Sequence, residues 1–401
     1  MDGTNKEIKY EQLILDNTTD INNNGTKQKK SISKGSLLEY RMQRLMFHMG
    51  YYSKRGVIIK TSADDLADEI TDLDVYGIFI NKDFSTKKVW VDCKAGRAKP
   101  LERMSWIKGI KYSARIDEAI FVKNNVRINT KQYAHKSGII ILDDVLLNKL
   151  ETDFHIKESD WRGSWNYNQQ LDMINKLKKS VSYDGKELKR VAQYMESSYW
   201  VFDHYARVKK CLSGIKQLYD CYNVEGDEKK VIMKWGIYEL ICLFNLAIIN
   251  ICREVYYLSD NDKKLLIMDG MLSGEIPARK REEIVNATYK MAIGLVKQQI
   301  PDFMPQQLHA NFKIEPPEYT YKLIDFIFRI TNNPLAFFDI LRQIEFILME
   351  YELNEKVVNN EEMSSLFDNY EKVKIGIKTS LHFICDVCNI PTTFFKYLSS
   401  K

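Results

Sequence analysis

The chain has 401 residues, a net charge of +5, 45% hydrophobic residues and seven cysteines, which is length for two or three domains and apolar content for packed cores. Scattered cysteines behind an N-terminus with no secretory pattern argue against a disulfide framework and for a reducing cytoplasm. No stretch reads as a membrane span, since the most apolar one, residues 237–251, contains Glu239, Asn245 and Asn250 and is expected to be a buried helix.

In chain order, residues 1–33 are rich in Asn, Thr and Lys, with one short apolar patch at residues 10–15, and read as a flexible N-terminal arm. A helix follows, with Leu38, Met42, Leu45 and Met49 at i, i+4, i+7 and i+11 and Gly50 as its C-cap. Ser36 and Glu39 have capping-box spacing, so Glu39 has both a structural and a site reading. The same helix holds Arg41 and His48 at the spacing of a helical ribonuclease motif, a coincidence common in basic amphipathic helices. Residues 51–60 read as a first strand, and the acidic stretch from Asp64 to Glu69 as a short helix or loop.

Two apolar runs then carry ionisable residues that need a chemical reason to be buried: Leu73-Asp74-Val75-Tyr76-Gly77 and Val89-Trp90-Val91-Asp92-Cys93-Lys94. Turn chemistry at residues 81–87 joins them into a hairpin. Symmetry about residue 83 pairs positions that sum to 166 and sets Asp74 opposite Asp92, about 5 Å apart at Cβ. Two such carboxylates share a proton or hold a divalent cation. Period two puts Lys94 on the face of Asp92 and turns Cys93 away. Asp72 shares the face of Asp74 and is the alternative first carboxylate.

From Lys94 to Lys131 there are ten basic residues against three acidic ones. Residues 34–150 hold 21 Lys and Arg against 14 Asp and Glu, +7, so the excess positive charge lies there, as a surface that meets phosphate requires. Pro100 opens a helix on which Lys108, Lys111 and Arg115 are expected to share a face. With Arg97, Lys99 and Arg103 they form the candidate nucleic-acid-binding set. Strands at residues 119–122 and 138–142 and a short helix complete an α/β segment. Residues 151–165 read as a linker. Residues 166–401 read as a large all-α domain, with helices at 167–181, 187–222, 231–258, 279–300, 319–331, 334–352 and 361–389. Cys385 and Cys388 read as core thiols, and Tyr199, Trp200, Phe202 and Tyr205 as helix-packing aromatics.

A helix with Glu39, a strand with Asp74 after an apolar residue, and a strand ending Asp92-Cys93-Lys94 resemble the PD-(D/E)XK, or restriction-endonuclease-like, nuclease superfamily over residues 34–150. Leu73 stands where the family's Pro would precede the first acid. The resemblance implies a restriction-endonuclease-like α/β core with a mixed central sheet and an Mg²⁺-dependent endonuclease. Its metal, Mg²⁺ or Mn²⁺, would be held by Asp74, Asp92 and the Cys93 backbone carbonyl. Lys94 and Glu39 would complete the catalytic set, acting on DNA, with RNA equally compatible with the composition. By fold analogy alone it points to bacterial restriction or antiphage defence, with a homodimer or a protein partner on the helical domain as the assemblies to look for and no membrane. Two alternatives stay open. One is a catalytically silent nucleic-acid-binding or assembly subunit. The other is a partner-dependent effector whose nucleotide-driven step comes from elsewhere, since G-x-x-x-x-G-K-[ST] does not occur.

Overall fold

Apolar residues recurring every three to four positions make Lys34–His48 a helix, α1, which buries Met42, Leu45, Met46 and Phe47. It stops at Gly50, whose φ of 96° suits a residue without a side chain. Because the helix begins at Lys34, Ser36 is already inside its first turn and the capping box does not form there. The computed structural model of the chain describes residues 32–62, 67–96, 98–181, 185, 188–224, 226–273, 278–300, 303 and 315–399. Almost all of the expected arm, its patch at residues 10–15, part of the acidic stretch and Arg97 therefore lie outside the described residues.

Five strands follow in sheet order: β1 (Tyr52–Lys60), β2 (Glu69–Ile80), β3 (Thr86–Cys93), β4 (Glu118–Val122) and β5 (Ile139–Leu142). The first three form an antiparallel meander, and β3, β4 and β5 run parallel. Parallel neighbours need crossovers. The first is α2 (Pro100–Ser113) and the second is α3 (Ile128–Lys136). The second helix is not among the elements expected from periodicity, because Ala134 is its one buried residue and no apolar stripe marks it.

The β2–β3 register pairs Val75 with Val91, Tyr76 with Trp90 and Gly77 with Val89, the expected sum of 166 throughout. One face of the hairpin, carrying Val75, Val89, Val91 and Cys93, packs on Met42, Leu45 and Met46 of α1 and on Leu147 of α4 (Asp144–Asp153). Gly77 is there because a Cβ would come within 2.1 Å of Met46 Cε. The opposite face carries Asp74, Tyr76, Trp90 and Asp92 and is covered by α2 and by helices from further along the chain: Trp106 packs edge-on to Trp90 at 5.3 Å, and Trp200 to Tyr76 at 5.5 Å.

Among the described residues after α4, the regular structure is helical apart from an isolated bridge at Val181. The helices are α5 (Tyr167–Lys179), α6 (Lys189–Glu196), α7 (His204–Val224), α8 (Asp227–Val255), α9 (Asp260–Ser273), α10 (Ala278–Gln299), α11 (Thr320–Asn332), α12 (Ile340–Phe346), α13 (Asn360–Leu366), α14 (Tyr370–Cys388) and α15 (Lys396–Ser399), with a π-helical turn Ile347–Glu352 after α12. Helix α9 fell in an expected gap, and two long expected spans each divide into two helices. Lys229–Val255 is long and apolar enough to cross a membrane, but 94% of its most apolar window is buried inside the protein, as expected for a core helix. All seven cysteines are free and buried.

The stretch 151–165, expected as a linker, is packed. Glu151 bridges Arg41 at 2.6 Å and Arg44 at 2.9 Å, the Arg44 guanidinium lies 4.3 Å from the Trp161 ring centre, and the fully buried Trp165 stacks on Phe346. Residues 34–401 accordingly form one compact unit.

Candidate active site

The candidate centre lies where β3 ends, at the carboxyl end of a parallel strand, the place where open α/β sheets bind ligands. Extending the observed register by one pair sets Asp74 of β2 against Asp92 of β3. Asp92 is 1% exposed and Asp74 8%, whereas Asp72 is exposed two residues earlier on β2. Burial thus separates the two candidates for the first carboxylate in favour of Asp74.

Lys94 stands just past the strand with its Nζ 3.4 Å from Asp74 Oδ2 and 3.6 Å from Asp92 Oδ1. Its side chain is 34% exposed, so this cation reaches the carboxylates from the solvent side. The Cys93 backbone N–H donates to Asp74 Oδ2 at 2.6 Å. Burial pushes the Asp74 carboxyl up to about 6, the Cys93 amide and Lys94 act against this, and the charges of Asp92 and Glu39 add to it. The Cys93 thiol points into the opposite core, where burial and then Asp74, Glu39 and Asp92 raise it well above its ordinary range.

Glu39 is close enough for its charge to act on both Asp74 and Cys93, but its carboxylate is turned to Arg55, Oε2 to Nη1 at 2.5 Å. Arg55 rests 4.3 Å from the centre of the Tyr40 ring. In the helix of Glu39, Arg41 is spent on Glu151 and Asn148. His48 packs 6.0 Å from Trp165, and burial pushes it down to about 4. Those two residues point to separate partners.

The expected phosphate-binding residues divide. Arg103 forks onto Asp92, with Nε 2.9 Å from Oδ2 and Nη2 on Oδ1, while its guanidinium lies 3.6 Å from the centre of the Trp106 ring. That is a bidentate, stacked arginine. Lys99 pairs with Glu102 on the surface at 2.8 Å. Lys108 sits 4.8 Å from the Tyr133 ring centre, and Lys111 Nζ donates to the Gly138 carbonyl at 3.3 Å, so both reach the second crossover. Arg115 does not share their face. The helix ends at Ser113, and Arg115 follows in a left-handed conformation with φ 52°.

Sequence reasoning missed the Arg103–Asp92 fork and its Trp106 platform; the i, i+3 spacing of Arg103 and Trp106 was the available signal. Among the described residues no group of three His, Cys, Asp or Glu side chains is arranged as a ready metal cage. Two buried carboxylates from neighbouring strands nevertheless fit Mg²⁺ or Mn²⁺ by donor chemistry, both offering hard oxygens, with the Arg103 fork and Lys94 already supplying positive charge there. Comparison with known proteins finds no matching family model, no curated relative and no similar solved structure.

Proposed function

We propose that the chain is a metal-dependent nuclease of the PD-(D/E)XK, restriction-endonuclease-like kind, hydrolysing phosphodiester bonds of DNA in a reducing cytoplasm, in restriction or antiphage defence. The observation that carries this reading is the close set of Asp74, Asp92 and Lys94 at the end of β3, with Nζ within 3.6 Å of both acids. Asp74 and Asp92, with the Cys93 carbonyl, would hold Mg²⁺, which when bound activates water and offsets charge on the phosphate. Lys94, 34% exposed and not locked in a fork as Arg103 is, is the freer cation at the acids, so it orients the attacking water and donates to the scissile phosphate. Glu39 can join only by leaving Arg55, and the buried Trp90, with Trp106 packed edge-on to it, gives the site an apolar floor.

The test is cleavage of duplex DNA, single strands and RNA by purified protein with Mg²⁺ or with a chelator. Asp74→Asn and Asp92→Asn should abolish cleavage and metal binding by calorimetry. Lys94→Gln should keep metal binding and lower the chemical step about a hundredfold or more, the scale of losing a positioned electrostatic donor. Wild-type rates in the Lys94 variant would remove the assignment. A second reading, a catalytically silent nucleic-acid-binding subunit, is favoured by the internal arginines that already neutralise Asp92 and Glu39. Nucleic-acid binding without cleavage under any divalent metal decides for it.

A further inference from the structure

At the opposite end of the same sheet face, four cations gather with few anions. Lys88 lies on β3 four residues before Asp92, on the same side of the strand, hence about 13 Å from it. Arg253, at the end of α8, donates to Thr86 Oγ1 at 3.2 Å, and Thr86 is the next residue on that face of β3. Arg207 of α7 gives Nη2 to the Trp200 carbonyl at 3.1 Å, faces His204 Nδ1 at 3.4 Å, and lies 4.8 Å from the centre of the Tyr199 ring. Trp200 in turn packs on Tyr76, the cross-strand neighbour of Trp90. Arg115, displaced from its helix, completes the group: burial, Arg207, Arg253 and Arg115 all depress the Lys88 amine, with Asp117 acting against them.

Among the described residues none of Lys88, Arg115, Arg207 and Arg253 has a carboxylate partner within 4 Å, and Arg207 Nε is a buried donor with no acceptor. Three acids lie nearby: Asp117 accepts the Lys88 backbone N–H at 2.7 Å, Glu254 faces His204 at 3.6 Å, and Asp203 Oδ1 accepts the backbone N–H groups of Tyr205 and Ala206 at 2.8 and 2.9 Å. Lys88 and Arg207 are partly buried, while Arg115 and Arg253 are exposed; partly buried cations are ordinarily paired, and clustering like charges around them without partners costs stability. Such a cluster has the chemistry of an anion site.

We infer that Lys88, Arg115, Arg207 and Arg253 form a second phosphate-binding site, which grips the nucleic-acid backbone about four base pairs of axial rise from the phosphate at Asp92. The inference rests on the nuclease reading for its ligand and on the unpaired cations for its place. It makes β3 a ruler, with the reacting phosphate at one end and an anchoring phosphate at the other.

The test uses the full chain and the double variant Lys88→Gln/Arg253→Gln, which touches neither the acids nor Lys94. Binding of a short DNA duplex is measured in chelator across a salt series, and thermal midpoints are measured in inorganic phosphate and in chloride at equal ionic strength. The salt slope of duplex binding should become shallower by about 1.8, two phosphate contacts at about 0.9 each. Inorganic phosphate should raise the wild-type midpoint and leave that of the variant unmoved. If wild type binds duplex and the variant keeps its slope, the site is overturned while the nuclease reading is untouched. If phosphate stabilises wild type alone but no duplex binds, the anion site holds and duplex DNA fails as its ligand. If neither probe distinguishes the two proteins, the site is overturned.

Discussion

Asp92 is answered by two cations of different kinds, an arginine fork that fits both oxygens and is braced on Trp106, and a more exposed lysine 3.6 Å away. The fork is the stronger partner, so Arg103 holds the charge of a 1%-exposed carboxylate. Arg103→Gln should therefore lower stability in chelator by about 3–5 kcal/mol, the cost of an uncompensated buried charge, and should enlarge the gain on adding Mg²⁺ beyond that of wild type. Urea midpoints in chelator and in Mg²⁺ measure both, and an Mg²⁺ gain equal to that of wild type would show that Arg103 does not share Asp92 with a metal. His48 contributes one part of the pH dependence. Burial holds it down to about 4, against an ordinary value of 6.5. The unfolded chain then takes up a proton that the folded one refuses between those values. The His48 contribution is complete above pH 6.5 and falls as pH drops toward 4, by about 3 kcal/mol at about 1.4 kcal/mol per unit; His204, pushed down to about 3, acts in the same direction, whereas Asp74, pushed up to about 6, favours the folded state as pH falls below 6. His48→Leu should flatten that part of the profile, and an equally steep profile in the variant would assign the loss to other groups.

At the scale of elements, the β2–β3 hairpin is where sequence spoke most clearly, because apolar runs with a short polar turn admit few registers once one face must be buried. That register brought Asp74, Asp92 and Lys94 together with no long-range information. Glu39 was legible as an acid on α1, but its partner Arg55 was not, since an ion pair between α1 and β1 leaves no periodic mark. The basic helix was read too long: Lys108 and Lys111 lie on it, whereas Arg115 sits past its end and its charge acts on Lys88 of β3. Helix α3 was invisible for a related reason, its near lack of buried apolar residues, although a parallel β4–β5 pair demands it. The close approach of α1 to the hairpin can be tested at Gly77. Gly77→Ala puts a methyl 2.1 Å from Met46 Cε and should cost about 1–3 kcal/mol by overpacking. Adding Met46→Val should recover part of that loss in a double-mutant cycle, and strict additivity would mean that the two side chains do not compete for the space.

Across the whole molecule, the sheet and the helices are tied by buried charge as well as by apolar contact. Lys54 of β1 meets Glu239 of α8 at 2.6 Å and Glu345 of α12 at 2.7 Å, all three nearly shielded from solvent. Burial opposes the Lys54 ammonium, but the two carboxylates overcome it and hold the amine well above its ordinary range. Such a triad is poor at adding net stability and strict about geometry, because removing one member strands the others. Lys54→Met should cost about 3–5 kcal/mol by leaving two acids facing each other, and replacing Glu239 and Glu345 by Gln in the same chain should return much of it. The triad joins residues 185 positions apart to the site-bearing sheet, and Trp165 and Phe346 extend the same seam to Phe47 of α1. The sheet should consequently not unfold ahead of the helices. Far-ultraviolet dichroism, dominated by the helices, and tryptophan fluorescence, which includes Trp90 and Trp106 beside the candidate site, should give one coincident urea transition in wild type and in the Lys54→Met variant, the latter at lower urea. Two separated transitions in wild type would mean that the sheet-bearing part is an independent folding unit and that its contacts with the helices carry little energy.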